Sequence, residues 1–279
     1  MNVGSIRTEN EAIKALVQAV VVAAKANFKE RCVAVYMMGS LARGGFSELV
    51  SDIDIGIILQ QPLGPGDADR VDSSRVAALA EVAAVNNSLS IFWGSVDSIN
   101  RRAEGGRYPP FDRLDLIDHA LLLEGKEVRS ELIRPTKQEL EIAGAAFALG
   151  YLGSEQRIRE FLDVSLMAGK GDVYITKTVL FPARFIYLER TGKVAGNDVS
   201  YQYYLEHFQG DDAALVELAY QWRNESVPEP LDEIITPLER GLVPLYHRFI
   251  DSYVTAMNRY GEEALADQLL AWRQEIEAA

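Results

Sequence analysis

The sequence is poor in the residues that build disulfide frameworks and metal centres. It contains one cysteine, Cys32, and three histidines. A single cysteine cannot form an intramolecular disulfide, which excludes the disulfide-stabilised secreted domains. Cys32 lies in an apolar run with no histidine nearby, so it is predicted to be a structural residue and not a nucleophile. His119, His207 and His247 lack the spacing of metal ligands, and no zinc site is expected.

Long hydrophobic runs and positive charge are also scarce. The longest nearly uncharged stretch, 142–154, contains glycines and is shorter than the ~18 residues of a membrane span. Near its start the chain reaches the acidic residues Glu9 and Glu11 before any apolar stretch, the reverse of an export signal. The 28 Lys and Arg against 41 Asp and Glu give a net charge of −13, which disfavours nucleic acid as a partner. We expect a cytoplasmic protein without a membrane or nucleic-acid partner.

The remaining composition is that of a globular protein. Apolar residues make up 48% of the 279 positions and charged residues 25%, which excludes a wholly disordered chain. The length suits about two domains of roughly 150 residues each. No internal repeat or low-complexity segment is visible.

The N-terminal half alternates predicted helices and strands. Thr8 and Glu11 have the spacing of a capping box, and the apolar residues that follow predict an amphipathic helix. Runs rich in apolar and β-branched residues predict strands at 32–38, 52–59 and 89–93, whereas helices are predicted at about 68–85 and 111–119.

After Pro135 no strand is predicted. Helical segments are predicted at 136–150, 154–168, 172–190, 198–207, 211–224 and 237–275. Pro182 is expected to kink the third segment or to mark its first turn. We therefore predict an α+β protein, with an N-terminal domain over 1–135 and an all-helical C-terminal domain over 136–279.

Four residues at the ends of the first two strands form the candidate site. Asp52 and Asp54 lie two positions apart on a strand and so share one face. Two adjacent carboxylates repel each other, and a hard cation such as Mg²⁺ relieves that repulsion. Gly39 allows close approach of a ligand to the backbone, and Ser40 offers a hydroxyl and neighbouring N–H groups to a phosphate. Each piece alone is also compatible with an exposed Asp-x-Asp and a simple turn.

Together the two pieces are far more specific. Met38-Gly39-Ser40 ends one apolar strand, and Asp52-Ile53-Asp54 begins another after eleven intervening residues. This pattern resembles the signature of the DNA polymerase beta-like nucleotidyltransferase superfamily. The order of a catalytic domain followed by a helical domain is similar to the aminoglycoside nucleotidyltransferases of the kanamycin and streptomycin type.

The resemblance implies a mixed sheet in the N-terminal domain and a nucleotidyl transfer reaction. A nucleoside monophosphate would pass from a Mg-bound nucleoside triphosphate to a hydroxyl of a small acceptor, with release of pyrophosphate. Two Mg²⁺ ions would bridge Asp52 and Asp54. The acidic net charge suits a polycationic acceptor such as an aminoglycoside. The oligomeric state is left open, with a homodimer among the alternatives.

One position departs from the superfamily pattern. A third carboxylate is usual on the next strand, where this chain has Ser90, whose hydroxyl is not basic at neutral pH. Asp97 is our first candidate for the missing base, followed by Glu48, Glu104 and Asp112. Alternatively, the helical domain supplies the base, or the site is weakened and the protein is a nucleotide-binding regulatory or antitoxin-like module.

Basic residues outside the motif are further candidates. Lys177 and Arg184 are seven positions apart, so they share a helix face and are predicted to contact the nucleotide. An ordinary surface ion-pairing role is the alternative. The arginine-rich loop at 101–107 is predicted either to close over a triphosphate or to remain a solvated loop.

Overall fold

The computed structural model describes residues 6, 8–82, 85, 88–229 and 232–277. The chain divides into two compact units. The first unit comprises Met1–Phe46 and Ser51–Pro135, and the second comprises Ser47–Val50 and Thr136–Ala279. None of the helices in the described ranges is long and apolar enough to cross a membrane.

The first unit is built around a mixed sheet. Its elements are α1 (Glu11–Phe28), β1 (Cys32–Met38), α2 (Gly39–Arg43), β2 (Ile53–Leu59), α3 (Asp67–Glu81), β3 (Leu89–Gly94), α4 (Val96–Ile99), α5 (Pro110–Asp118) and β4 (Leu121–Gly125). The strand order is β3-β2-β1-β4. β1 is antiparallel to both of its neighbours, and β2 and β3 are parallel. The predicted α+β class and the mixed sheet are confirmed.

Each face of the sheet carries its own apolar cluster. The larger cluster joins α1 and α3 to Ile53, Ile55 and Ile57 of β2. The smaller cluster, on the other face, contains Tyr36 and Met38 of β1 together with residues of β3 and α5. Because strand side chains alternate between faces, Asp54 lies on the side of the smaller cluster, as does Asp52 immediately before the strand.

β4 was not expected from the sequence. Leu121–Gly125 pairs antiparallel with β1 and completes the sheet. Its run of leucines is as typical of a helix as of a strand, because leucine is a strong helix former. The pairing with β1 across about 85 residues of intervening chain determines its conformation.

The cap of α1 also differs from the prediction. The side-chain oxygen of Asn10 accepts the N–H groups of Ala12 and Ile13 at 3.0 and 3.4 Å. Thr8, the predicted cap, instead accepts the N–H of Asn10 at 3.1 Å. Asparagine is as good an N-cap as threonine, so the helix begins two residues later than the capping box predicted.

The secondary structure described in the second unit is all helical. Its helices are α6 (Lys137–Tyr151), α7 (Glu155–Leu162), α8 (Ser165–Ala168), α9 (Asp172–Thr191), α10 (Asn197–His207), α11 (Asp211–Glu225), α12 (Asp232–Tyr260) and α13 (Glu263–Glu277). The single helix predicted at 237–275 is wrong. Gly261 adopts φ +74° between α12 and α13 and ends the first of them. The segment predicted at 154–168 likewise forms two helices.

A short piece of the N-terminal half belongs to this helical unit. Ser47–Val50, which the sequence analysis assigned to the N-terminal domain, is part of the second unit. The Ser47 hydroxyl is buried and donates to the backbone carbonyl of Arg223 at 2.6 Å. Ser47–Val50 is therefore anchored on α11 within the second unit.

Pro182 lies in the middle of α9, so it does not mark the first turn of that helix. Proline has no N–H group, which deprives the carbonyl of Thr178 of its helical partner. The buried Tyr246 hydroxyl of α12 donates to this carbonyl at 2.8 Å. A side chain from a neighbouring helix thus satisfies the carbonyl that Pro182 leaves without a donor.

Replacement of Tyr246 by phenylalanine tests this interaction. Tyr246→Phe leaves a buried carbonyl without a donor, so the free energy of unfolding should fall by about 1–3 kcal/mol. Tyr187→Phe on α9 is the matched control, because the Tyr187 hydroxyl has no hydrogen bond in the described part of the chain. Urea denaturation measures both variants, and equal losses would contradict the assignment.

Candidate functional site

The strand register brings Gly39 against Asp54. Met38 of β1 pairs with Asp54 of β2, so the residue after Met38 lies beside that carboxylate. A Cβ atom on Gly39 would lie 2.1 Å from Asp54 Oδ2, and Gly39 has φ +63°. Any larger residue would collide with the carboxylate. The close approach that the sequence predicted for a ligand is made here by the Asp54 side chain.

Asp52 and Ser90 lie in the same part of the sheet as Asp54. Asp52 and Asp54 are both half-buried, and the alternation of β2 places them on one side of the sheet. Ser90 of β3 is the register partner of Asp54. A carboxylate at position 90 would therefore lie beside the pair, as the superfamily pattern implies, and Ser90 replaces it with a neutral hydroxyl.

The structure does not bring Asp97 to the pair. β3 runs parallel to β2, and its residues lead away from Asp54 after Ser90. The four steps from Ser90 to Gly94 span roughly 13 Å at 3.3 Å per residue. Asp97 follows in α4 and is exposed. Proximity in sequence to β3 suggested Asp97 as the base, but the direction of the strand carries it to the far end of the sheet.

The other carboxylates named as substitutes are dispersed. Glu48 is exposed and belongs to Ser47–Val50 of the second unit. Glu104 is exposed in the loop after α4, and Asp112 lies half-buried in the first turn of α5. A role of Glu48, Glu104 or Asp112 as the base stays a prediction.

A carboxylate that the sequence analysis did not consider does reach the site. Asp115 of α5 accepts the N–H of Gly39 at 2.6 Å through Oδ2 and the guanidinium of Arg43 at 2.5 Å through Oδ1. Its exposed fraction is 8%. The one available signal was a charged residue between the buried Leu114 and Leu116. Spacing along the chain gave no reason to connect α5 with Gly39.

Tyr108 lies beneath the site on the same face. Its hydroxyl donates to Met38 Sδ at 3.1 Å, and a Cβ atom on Gly56 would meet that hydroxyl at 2.2 Å. Burial raises the pKa of Tyr108 well above its usual value, and the nearby carboxylates of Asp112 and Asp115 raise it further. The phenol therefore stays protonated at neutral pH and serves as packing and as a donor.

The donor set suits a hard divalent cation. Asp52 and Asp54 offer carboxylate oxygens on one side of a rigid strand, which is the chemistry that Mg²⁺ prefers. The described residues contain no group of three or more His, Cys, Asp or Glu able to hold a metal ion. Two carboxylates leave most of a Mg²⁺ shell to water and substrate oxygens, as is usual where the metal binds together with a phosphate.

The basic candidates lie elsewhere in the chain. Lys177 and Arg184 are both in α9, and Lys177 is half-buried. Their contact with a nucleotide stays a prediction. Arg107, at the end of the arginine-rich loop, exchanges backbone hydrogen bonds with Trp93 at 2.7 and 3.2 Å. That end of the loop is thereby tied to β3.

Cys32 has the character expected of a structural residue. It begins β1, at the end of the strand opposite Met38 and Gly39. Burial raises the pKa of its thiol to about 11. The thiol is therefore protonated at neutral pH, which makes it a poor nucleophile.

The steric claim at Gly39 predicts a specific loss of stability. Gly39→Ala adds a methyl group against Asp54, and it should lower the free energy of unfolding by more than about 1 kcal/mol beyond the cost of a positive φ. The matched control is Gly261→Ala, because Gly261 has φ +74° and open space where its Cβ would be. Denaturant unfolding measures both variants. Equal decreases in the free energy of unfolding would contradict the contact between residue 39 and Asp54.

Comparisons with known proteins bear on the family and the fold. Residues 22–87 match the family model described as a nucleotidyltransferase domain. No curated protein sequence matches the chain at a significant level. The fold is similar to the crystal structure of spectinomycin adenyltransferase AAD(9) from Enterococcus faecialis with ATP and spectinomycin. The TM-score is 0.55 at 15% identity, over 80% of this chain and 98% of that chain. Residues 22–87 are thus similar to a nucleotidyltransferase domain, and the fold of the chain, a mixed-sheet unit followed by a helical unit, is similar to that of an adenyltransferase.

Proposed function

We propose that the protein is an enzyme that transfers a nucleoside monophosphate from a Mg-bound nucleoside triphosphate to a hydroxyl of a small acceptor, with release of pyrophosphate. The juxtaposition of Gly39-Ser40 with Asp54 carries this proposal. It lies within the residues that match the nucleotidyltransferase family model.

Asp52 and Asp54 are the proposed metal ligands. Their shared side of β2 gives a divalent cation two oxygens from a fixed backbone. When bound, Mg²⁺ would polarise the phosphoryl oxygens and offset the charge of the triphosphate. The resemblance to the superfamily favours two such ions at this pair. The role of the aspartates is to hold that charge at the end of β2, next to Gly39.

Gly39 and Ser40 are the proposed phosphate contacts. The Ser40 hydroxyl is half-buried and has no hydrogen-bond partner in the parts of the chain that the structure describes. A phosphate oxygen can therefore accept from it without breaking an existing bond. Because Gly39 has no side chain, its backbone can lie close to Asp54. A phosphate bound at Gly39 could then contact a metal ion held by the Asp54 carboxylate.

The acceptor is proposed to be a polycationic, hydroxylated small molecule of the aminoglycoside kind, and the nucleotide to be ATP. The net charge of −13 favours a cationic acceptor. The similar structure contains ATP and spectinomycin. The helical unit is proposed to supply acceptor contacts, with Lys177 and Arg184 as candidate nucleotide contacts.

A second candidate function is a nucleotide-binding regulatory module with little turnover. The observation that favours it is Ser90, which puts a neutral side chain beside Asp54 where a base is expected. The enzymatic function is better supported, because the chain keeps both aspartates of the motif beside Gly39-Ser40.

Neutralising the aspartates should abolish activity. Asp52→Asn and Asp54→Asn each remove a ligand charge, so Mg-dependent transfer should fall at least about 100-fold while the fold is kept. Asp97→Asn is the control, since it removes the same charge from an exposed position at the far end of β3. Pyrophosphate release from MgATP with a panel of aminoglycosides measures all three. Wild-type turnover in both variants would refute the metal site.

Restoring a carboxylate on β3 should separate the two functions. Ser90→Asp places a base beside Asp54, and turnover should rise toward the roughly 100-fold that a positioned base supplies. Ser73→Asp adds the same charge on the exposed surface of α3 and should change the rate less than twofold. No gain in Ser90→Asp, with MgATP affinity retained, would show that position 90 does not limit the reaction.

A further inference from the structure

One carboxylate holds both ends of α2. The helix has five residues, Gly39–Arg43, and helices this short are not stable by themselves in water. Asp115 accepts the N–H of the first residue and the guanidinium of the last one. Contacts from outside α2 must therefore fix its geometry, and Asp115 supplies two of them from α5.

The Gly39 bond matters because of where this N–H lies. The first N–H groups of a helix have no partner within the helix, and a buried one left without an acceptor is costly. Here the acceptor is a buried carboxylate that also pairs with the Arg43 guanidinium, and it accepts the Gly39 N–H over a short distance of 2.6 Å. Asp54 contacts the same glycine from β2. Gly39 is thus held between two carboxylates that come from different elements.

Asp115 is poorly suited to act on substrate itself. Each of its oxygens already accepts a hydrogen bond from α2, at 2.6 and 2.5 Å. A carboxylate engaged in this way has fewer lone pairs left for a metal ion or a substrate. Asp115 instead sets the position of the residues between Gly39 and Arg43, which include Ser40.

We propose that Asp115 is the positioning residue of the candidate site: by holding Gly39 and Arg43 it fixes the Ser40 hydroxyl relative to Asp54, so that a triphosphate meets a preformed turn. This inference rests on the proposed function. Misplacement of a positioned group by about 1 Å can lower a reaction rate by a factor near 100. Contacts that fix this turn are therefore expected to have a large effect on how the triphosphate is held.

The chain offers a matched control on the same helix. Asp118, one turn further along α5, pairs with Arg134 through both of its oxygens. Like Asp115 it is an α5 carboxylate paired with an arginine, but its partner lies outside α2. Asp118→Ala therefore removes an ion pair on α5 without touching α2. Only Asp115→Ala removes the two contacts of Asp115 with Gly39 and Arg43, which we call the clamp.

The experiment measures MgATP affinity by calorimetry, together with amide hydrogen exchange of the segment 38–43. Asp115→Ala should weaken MgATP binding at least about tenfold and speed exchange of that segment. Asp115→Asn should recover much of both, because the amide oxygen can still accept from Gly39. Asp118→Ala should stay within about twofold of wild type in affinity and leave the exchange of 38–43 unchanged.

The outcomes separate this inference from the proposed function. If the wild-type protein binds neither MgATP nor MgGTP, the proposed function fails and the positioning role fails with it. If the wild type binds and Asp115→Ala binds equally well, only the positioning role is overturned. An equal loss in Asp118→Ala, or no recovery in Asp115→Asn, also overturns it.

A variant that does not fold still leaves the question decidable. Should Asp115→Ala be unfolded, Arg43→Gln removes one contact of the clamp and keeps the Gly39 bond. It should weaken MgATP binding several-fold, whereas Arg134→Gln should not. Equal affinities in Arg43→Gln and wild type would overturn the proposal.

Discussion

The contact between Gly39 and the Asp54 carboxylate is the constraint on which the site depends. It exists because the antiparallel register of β1 and β2 pairs Met38 with Asp54. A slip of one residue would turn Asp54 toward α1 and α3 and bring an isoleucine to the site instead. The apolar alternation of β2, with Ile53 and Ile55 in the larger cluster, enforces that register. Core packing thus determines where the carboxylate lies.

The residues of the motif could be predicted because their arrangement is local. A strand that ends in Gly39-Ser40 and a strand that begins near Asp52 and Asp54 are both visible in short windows of sequence. Ser90 was singled out by the resemblance to the superfamily pattern, and the parallel pairing of β2 and β3 sets it beside Asp54. The predictions for Gly39, Ser40, Asp52 and Asp54 needed only the period of a strand and the residues at its ends.

The remaining features depend on contacts between distant residues. Asp115 reaches Gly39 across 76 positions of sequence, and no spacing rule connects α5 with the end of β1. β4 has a composition that fits a helix equally well until β1 pairs with it. Asp97 was chosen for its nearness in sequence, but β3 carries the chain away from Asp54 before Asp97 is reached. In each case the interaction that determines the position joins segments that are far apart in the sequence, so no short window of sequence contains both.

The anchoring of Ser47–Val50 on α11 has a consequence for the order of events during synthesis. The ribosome synthesises Ser47–Val50 early. The carbonyl of Arg223, which accepts from the Ser47 hydroxyl, is added 176 residues later. At a synthesis rate of about 5–20 residues per second, the loop waits roughly ten to thirty seconds for that carbonyl. During that interval the sheet can form, yet Ser47–Val50 lacks its hydrogen bond to α11. A nascent chain would fix this segment only after most of the helical unit has left the ribosome.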